Sequence, residues 1–128
     1  MCAMSTSALQ ADAFYEEVLR EGGVWTIRDA GGYPAPNTAE GGRAMPFWSL
    51  QSRAELVLKN VPAYAGFVVE SISLIAFREK WLPGLEVDGI GVGLNWSGER
   101  ATGYDVPARD VGRNLDLRQD LASRTGAD

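Results

Sequence analysis

The side chains that could do acid–base work in this chain are carboxylates: Glu16 and Glu17, Glu70, Glu86 and Asp88, with Arg and Tyr33 as polar company. A carboxylate desolvated in a pocket can act as a general acid or base. Glu70 falls on a short apolar segment and is the one placed to face inward. Glu16 and Glu17 are adjacent, so on a helix they point different ways. Glu86-x-Asp88 followed by Gly89 hints at a metal loop, but the repeated oxygen ligands of a calcium loop are missing. There is no His, and the sole Cys is Cys2. A Ser–His triad, a Cys–His dyad, an imidazole base and the common zinc sites are therefore excluded. Nothing in the spacing selects a carboxylate pair. No catalytic residue, cofactor or metal site is assigned, and binding fits these residue types better than catalysis.

Gly89-Ile90-Gly91-Val92-Gly93 has the look of a nucleotide loop. A dinucleotide fingerprint needs its glycines between a strand and a helix, and a P-loop needs a Lys followed by Ser or Thr. Here Leu94-Asn95-Trp96 follows, so the glycines belong to a strand whose missing side chains make room for an aromatic ring. The four tryptophans, Trp25, Trp48, Trp81 and Trp96, read as core, with Trp81 the firmest of them. A sharper reading sets Trp48 and Trp96 beside a pocket or interface. Asn95-Trp96-Ser97 matches a glycosylation acceptor, a chance match in a chain without a secretion signal.

Residue totals bound what can hold these groups. The 128 residues are 45% apolar and 23% charged, the composition of one globular domain that buries roughly two-thirds of its unfolded surface. One cysteine forms no disulfide framework and points to a reducing, cytoplasmic setting. Neither a signal peptide nor an apolar run long enough to span a membrane is evident. Net charge is −5, and the basic residues are scattered among acids, with Arg109, Arg113 and Arg118 interleaved with Asp110, Asp116 and Asp120. That disfavours nucleic acid, which needs clustered basic side chains. A protein partner is compatible with the charge.

Helical spacing predicts a first helix from Ser7, with Gln10 completing a capping box, to Gly22-Gly23. Val24–Arg28 reads as a strand. The stretch from Gly31 to Gly42, rich in Gly and Pro, reads as a long loop, and loops of that length are often functional. Ala44–Trp48 reads as the return arm of this hairpin, with Pro46 demanding a sheet edge or a bulge. Ser49 is expected to cap a second helix that Pro62 stops. Phe67–Glu70 reads as a strand, and Ser73 as the cap of a helix that Pro83-Gly84 closes, with Ile72 and Phe77 as its hydrophobic staple. Ile90–Trp96 reads as the central strand, Ser97–Arg100 as a turn, and Thr102–Val106 as the last strand. Pro107 opens a final helix. The fold class is α+β: a small, mainly antiparallel sheet of about five strands, with three to four helices on one face. Residues 7–122 form one domain between an N-terminal tail (1–6) and a frayed C-terminal tail (123–128).

From Phe14 to about Val106 the chain resembles the DUF2750 family, bacterial domains of unknown function. The resemblance rests on Val24-Trp25-Thr26-Ile27, Met45-Pro46-Phe47-Trp48-Ser49, the run Phe77 to Leu85, and Val92-Gly93-Leu94-Asn95-Trp96. It implies a small bacterial cytoplasmic domain and supplies no catalytic residues.

The leading functional expectation is a non-enzymatic binding or regulatory module, one form being an acidic, immunity-like partner of a basic toxin. Its surface centres on the Gly31–Gly42 loop and a strand edge, with Tyr33, Trp48, Trp96 and Glu70 as candidate binding residues. The alternatives are a small carboxylate enzyme or ligand-binding domain near Trp48 and Trp96, and a structural homo-oligomer, a homodimer being one form, through a strand edge.

Overall fold

The computed structural model describes residues 6–38, 41–98 and 102–125. Cys2 and half of the turn at Ser97–Arg100 lie outside the described residues, as do the ends of both expected tails. Helix α1 (Thr6–Glu21) turns Ala11, Phe14, Tyr15 and Val18 into the core at helical spacing. It already includes Thr6, so Ser7 lies inside the helix and is not its cap. Gly22 ends it at φ 78°, donating its N–H to the Val18 carbonyl at 2.8 Å.

β1 (Gly23–Arg28) pairs antiparallel with β3 (Val68–Ser73). β2 (Arg43–Phe47) pairs parallel with β4 (Ile90–Ser97), and β4 pairs antiparallel on its other side with β5 (Thr102–Val106). The α+β class and the five strands agree with the sequence reading, and β4 is central to its ladder, but the strands form two ladders, not one sheet, and the helices lie on both sides of them. The parallel pair requires a long crossover. The chain supplies it with α2 (Gln51–Asn60), a 3₁₀ turn at Pro62–Tyr64, β3 and a helical run. That run joins α3 (Leu74–Ala76), a π turn (Phe77–Trp81) and α4 (Leu82–Asp88). α5 (Ala108–Thr125) completes the described chain.

The expected hairpin of β1 and β2 is reduced to one point. Trp25 and Trp48 exchange two backbone hydrogen bonds of 2.7 Å, and no ladder continues from them. Pro46 explains the gap. Alternate residues of a strand direct their backbone groups to the same side, so Pro46 brings a ring where Trp48 brings a donor. The Pro46 carbonyl instead accepts the buried Thr26 hydroxyl at 2.8 Å. β2 is thus the edge of its three-stranded ladder, as the proline required.

Two apolar clusters lie on the two sides of these strands. Phe47, Val92 and Leu94 join α1, α4 and α5 on one side, while Ile27, Ala44 and Trp48 join Ala54 and Val57 of α2 on the other. By strict alternation Trp96 should follow Val92 and Leu94. It belongs to the opposite cluster. The cause is Asn95, buried at φ 51°, where the β4–β5 register shifts. This bulge inverts the alternation and folds the Trp96 ring back over Gly93. A Cβ at Gly93 would lie 2.2 Å from that ring, and one at Gly103 3.1 Å from it. The glycines do make room for an aromatic.

Three local expectations are corrected. Ser49 does not cap α2; its N-cap residue is Leu50, without a side-chain bond. The helix does not close at Pro83-Gly84 but continues to Gly89, in left-handed conformation at φ 70°. Pro83 lacks an N–H and its ring would strike the carbonyl four residues back. The preceding turn widens to accommodate it, with the Leu82 N–H donating to the Phe77 carbonyl five residues earlier. Trp81, on that turn, is half-buried, whereas Trp48 is fully buried and Trp96 nearly so. Ser73 caps α3 as expected, accepting the Ala76 N–H at 3.1 Å, and the staple residues Ile72 and Phe77 share one cluster.

Gly93→Ala should lower stability by about 1–3 kcal/mol, the usual cost of overpacking, seen as a lower denaturant midpoint. An unchanged midpoint would mean that Trp96 is not seated on Gly93.

Candidate functional site

The loop after β1 is held in shape by its own polar groups. Asp29 and Gly32 exchange backbone bonds of 3.0 and 3.1 Å, and the Asp29 carboxylate accepts the Gly31 N–H at 2.8 Å. Further along, the Ala44 N–H reaches the Pro36 carbonyl at 3.1 Å, Arg43 Nε donates to the Ala35 carbonyl at 2.9 Å, and Thr38 donates to Gly42 at 2.7 Å. Between these ties Tyr33 leans edge-on against Trp81, centroids 4.8 Å apart, and its hydroxyl donates to Glu70 at 2.6 Å. Arg28 Nε meets the other Glu70 oxygen at 3.1 Å. The hydrogen bond to Glu70 raises the Tyr33 phenol above its ordinary range, with smaller contributions from burial and the Glu70 charge. Tyr33 is therefore a hydrogen-bond donor at neutral pH and no nucleophile.

Beside this loop opens a cleft of about 540 Å³. Thr38, Gly42 and Arg43 form one wall, Glu86 and Gly89 at the end of α4 another, and Pro107 and Arg109 at the start of α5 a third. Leu85, Ile90 and Val106 give it an apolar floor. Leu85 also borders a shallower hollow with Tyr33, Met45 and Trp81, so the two run along the same helix. Sequence reasoning passed over Arg43 and placed Arg109 only in a group of arginines interleaved with acids. Only the parallel β2–β4 register brings the start of β2, the end of β5 and the start of α5 to one end of the sheet.

The four candidate binding residues assemble as two pairs. Tyr33 and Glu70 meet directly. Trp48 donates its indole N–H to the Trp96 carbonyl at 2.8 Å, on the α2 side of the sheet. Trp96 in turn donates to Asp105 at 2.8 Å and borders a cavity of about 110 Å³ with Gln10 and Asn60. The two pairs lie on opposite sides of the strands.

A polar knot that sequence reasoning missed joins α1, β2, α2 and β4. Glu17 accepts the Ser49 hydroxyl at 2.5 Å and a two-pronged contact from Arg53, both bonds 3.0 Å. The Asn95 carbonyl oxygen accepts the Ser49 N–H at 2.9 Å, and its amide donates to Ser49 Oγ at 3.0 Å and to the Gln10 carbonyl at 3.2 Å. Asn95 is thus consumed by the fold and is no glycosylation acceptor in this state. Burial alone would raise the Glu17 carboxyl. The hydrogen bonds from Arg53 and Ser49, with the positive charge of Arg53, outweigh it and hold the group below its ordinary range. A carboxylate so stabilised is a poor proton donor near neutrality. A dissection of the sequence could find this knot only through Glu17 and Arg53, whose polar types recur on otherwise apolar helix faces.

Residues 11–115 match a family model described as a protein of unknown function, DUF2750. The chain belongs to the DUF2750 family. No curated protein matches it. The stretches by which a DUF2750 member was recognisable occupy β1, β2 with its exit at Ser49, the π turn with α4, and β4. They supply much of the core and, of the polar knot, Ser49 and Asn95. Among the described residues no cluster of acids could hold a metal ion, and no helix is long and apolar enough to cross a membrane.

Glu17 is depressed on folding, so its contribution is fully present above its ordinary value near 4.5 and is lost as pH falls through the lower folded value. Glu17→Gln should flatten this acid limb in pH-dependent unfolding and cost about 1–3 kcal/mol at neutral pH by stripping Arg53 of its partner. An unaltered acid limb would remove Glu17 as its source. Tyr33→Phe keeps the ring on Trp81 but loses the bond to Glu70. It should cost about 0.5–1.5 kcal/mol and speed hydrogen exchange at Gly32; unchanged exchange would mean the loop does not depend on that tie.

Proposed function

We propose that this DUF2750 protein is a non-enzymatic binding or regulatory module that engages a partner through the Gly31–Gly42 loop and the cleft beside it. The observation that carries the reading is the loop itself. Its described residues contribute little to either apolar cluster, yet polar ties at both ends and at Tyr33 hold them beside the cleft. A preorganised loop loses less conformational freedom on association, which favours binding. Two of the candidate carboxylates support the same reading, since Glu17 and Glu70 are each engaged by an arginine and a hydroxyl. We take the partner to be a protein, with an immunity-like role as one form of it. Residues 7–122 are read as one domain, and the single thiol supports a cytoplasmic setting.

The test is affinity capture from extracts of the source organism, using the whole chain and a variant with Pro34-Ala35-Pro36-Asn37 replaced by Gly and Ser at equal length. With unchanged circular dichroism, the variant should lose the proteins that the natural chain retains. Recovery of the same proteins by both baits would remove the loop as the binding surface.

A further inference from the structure

We propose that the cleft between the loop, α4 and the start of α5 takes a small organic anion, its charged head between Arg43 and Arg109 and its apolar body on Leu85, Ile90 and Val106. The inference deepens the binding-module reading and rests on it. The volume, about 540 Å³, suits a small molecule. The decisive feature is charge. On a chain of net charge −5, this cleft collects two guanidinium groups, and neither makes an ion pair among the described residues. Arg43 spends its Nε on the Ala35 carbonyl, which steadies the side chain and leaves its two terminal nitrogens for a ligand. Two acids also border the cleft. They are Glu86, at the rim of α4, and Asp105, one of whose carboxylate oxygens accepts the Trp96 indole N–H. Among the described residues the charged groups bordering the cleft are thus two guanidinium groups without an ion pair and two carboxylates, one of them bonded to an indole, above an apolar floor. Arginine favours carboxylates because its planar fork matches both oxygens. The floor then selects anions that carry hydrocarbon over bare inorganic ones.

Hexanoate is the probe, with hexanol, acetate and inorganic phosphate as comparisons, read by calorimetric titration and by melting temperature of the whole chain. Hexanoate should bind and raise the melting temperature with concentration, because a ligand of the folded state stabilises it. Hexanol and phosphate should be weaker by roughly tenfold or more, the loss expected when either the charged contact or the apolar contact is missing. Arg109→Glu should abolish hexanoate binding, Arg43→Lys should weaken it by about tenfold, and Lys59→Ala, on the far side of the sheet, should leave it unchanged. Absence of hexanoate binding overturns the proposal, as does equal binding of hexanol or phosphate, or full binding by a folded Arg109→Glu. Hexanoate binding lost in Arg109→Glu, alongside identical captures by both loop baits, would sink the protein-partner surface and leave the anion site standing.

Discussion

Glu17 sets the terms on which the rest of this protein can fold. A carboxylate drawn largely out of water must find donors or charge, and leaving one partner unmet costs on the order of 1–3 kcal/mol. Here the donors come from three places: Arg53 on α2, the Ser49 hydroxyl at the exit of β2, and, through Ser49, the Asn95 amide on β4. None of the described buried side-chain polar atoms lacks a partner. Meeting that condition fixes how α1 and α2 sit on opposite sides of the strands. It also holds Asn95 in a left-handed conformation that few residues tolerate. From that one backbone angle follow the inverted direction of Trp96, the need for glycine at 93 and 103, and the indole bonds that join β4 to β5 and to Trp48.

The α+β class and its elements were legible because they rest on periodicity and punctuation: the stripe Ala11, Phe14, Tyr15, Val18; the cap at Ser73; the proline at 46. The room left by Gly93 for an aromatic was legible for the same reason. What escaped was anything decided by a distant partner. Ser49 has the right type and place for a helix cap, and it was drawn instead into the polar knot by Glu17, 32 residues away. Pro83 has the right type to end a helix, and a wide turn absorbed it. Trp81 and Trp48 are chemically alike in a sequence, and only the packing of α2 makes Trp48 the more buried. The meeting of the cleft arginines was invisible because the parallel pairing that gathers them is a matter of topology.

The two polar assemblies divide the work. The knot around Glu17 lies among elements of regular structure and holds them in register. The tie among Arg28, Glu70 and Tyr33 has similar chemistry, a carboxylate between a guanidinium and a hydroxyl, but it fastens a loop to the rim of the sheet. The family match, over residues 11–115, spans both assemblies.

The parallel pairing of β2 with β4 carries a consequence for how the chain is made. When β2 leaves the ribosome, its only ladder partner has not been synthesised, because the whole of α2, β3, α3 and α4 comes first. β1 can zip with β3 in the meantime, but α1 has no sheet to cover until β4 emerges and is flanked by β5. Pairings of such long reach close slowly and late. The nascent polypeptide therefore carries an apolar strand, Ala44 to Trp48, without its ladder partner until Ile90–Ser97 has been made. Its Pro46 then has a second use, since a residue that cannot donate to a neighbouring strand discourages that waiting edge from joining another molecule.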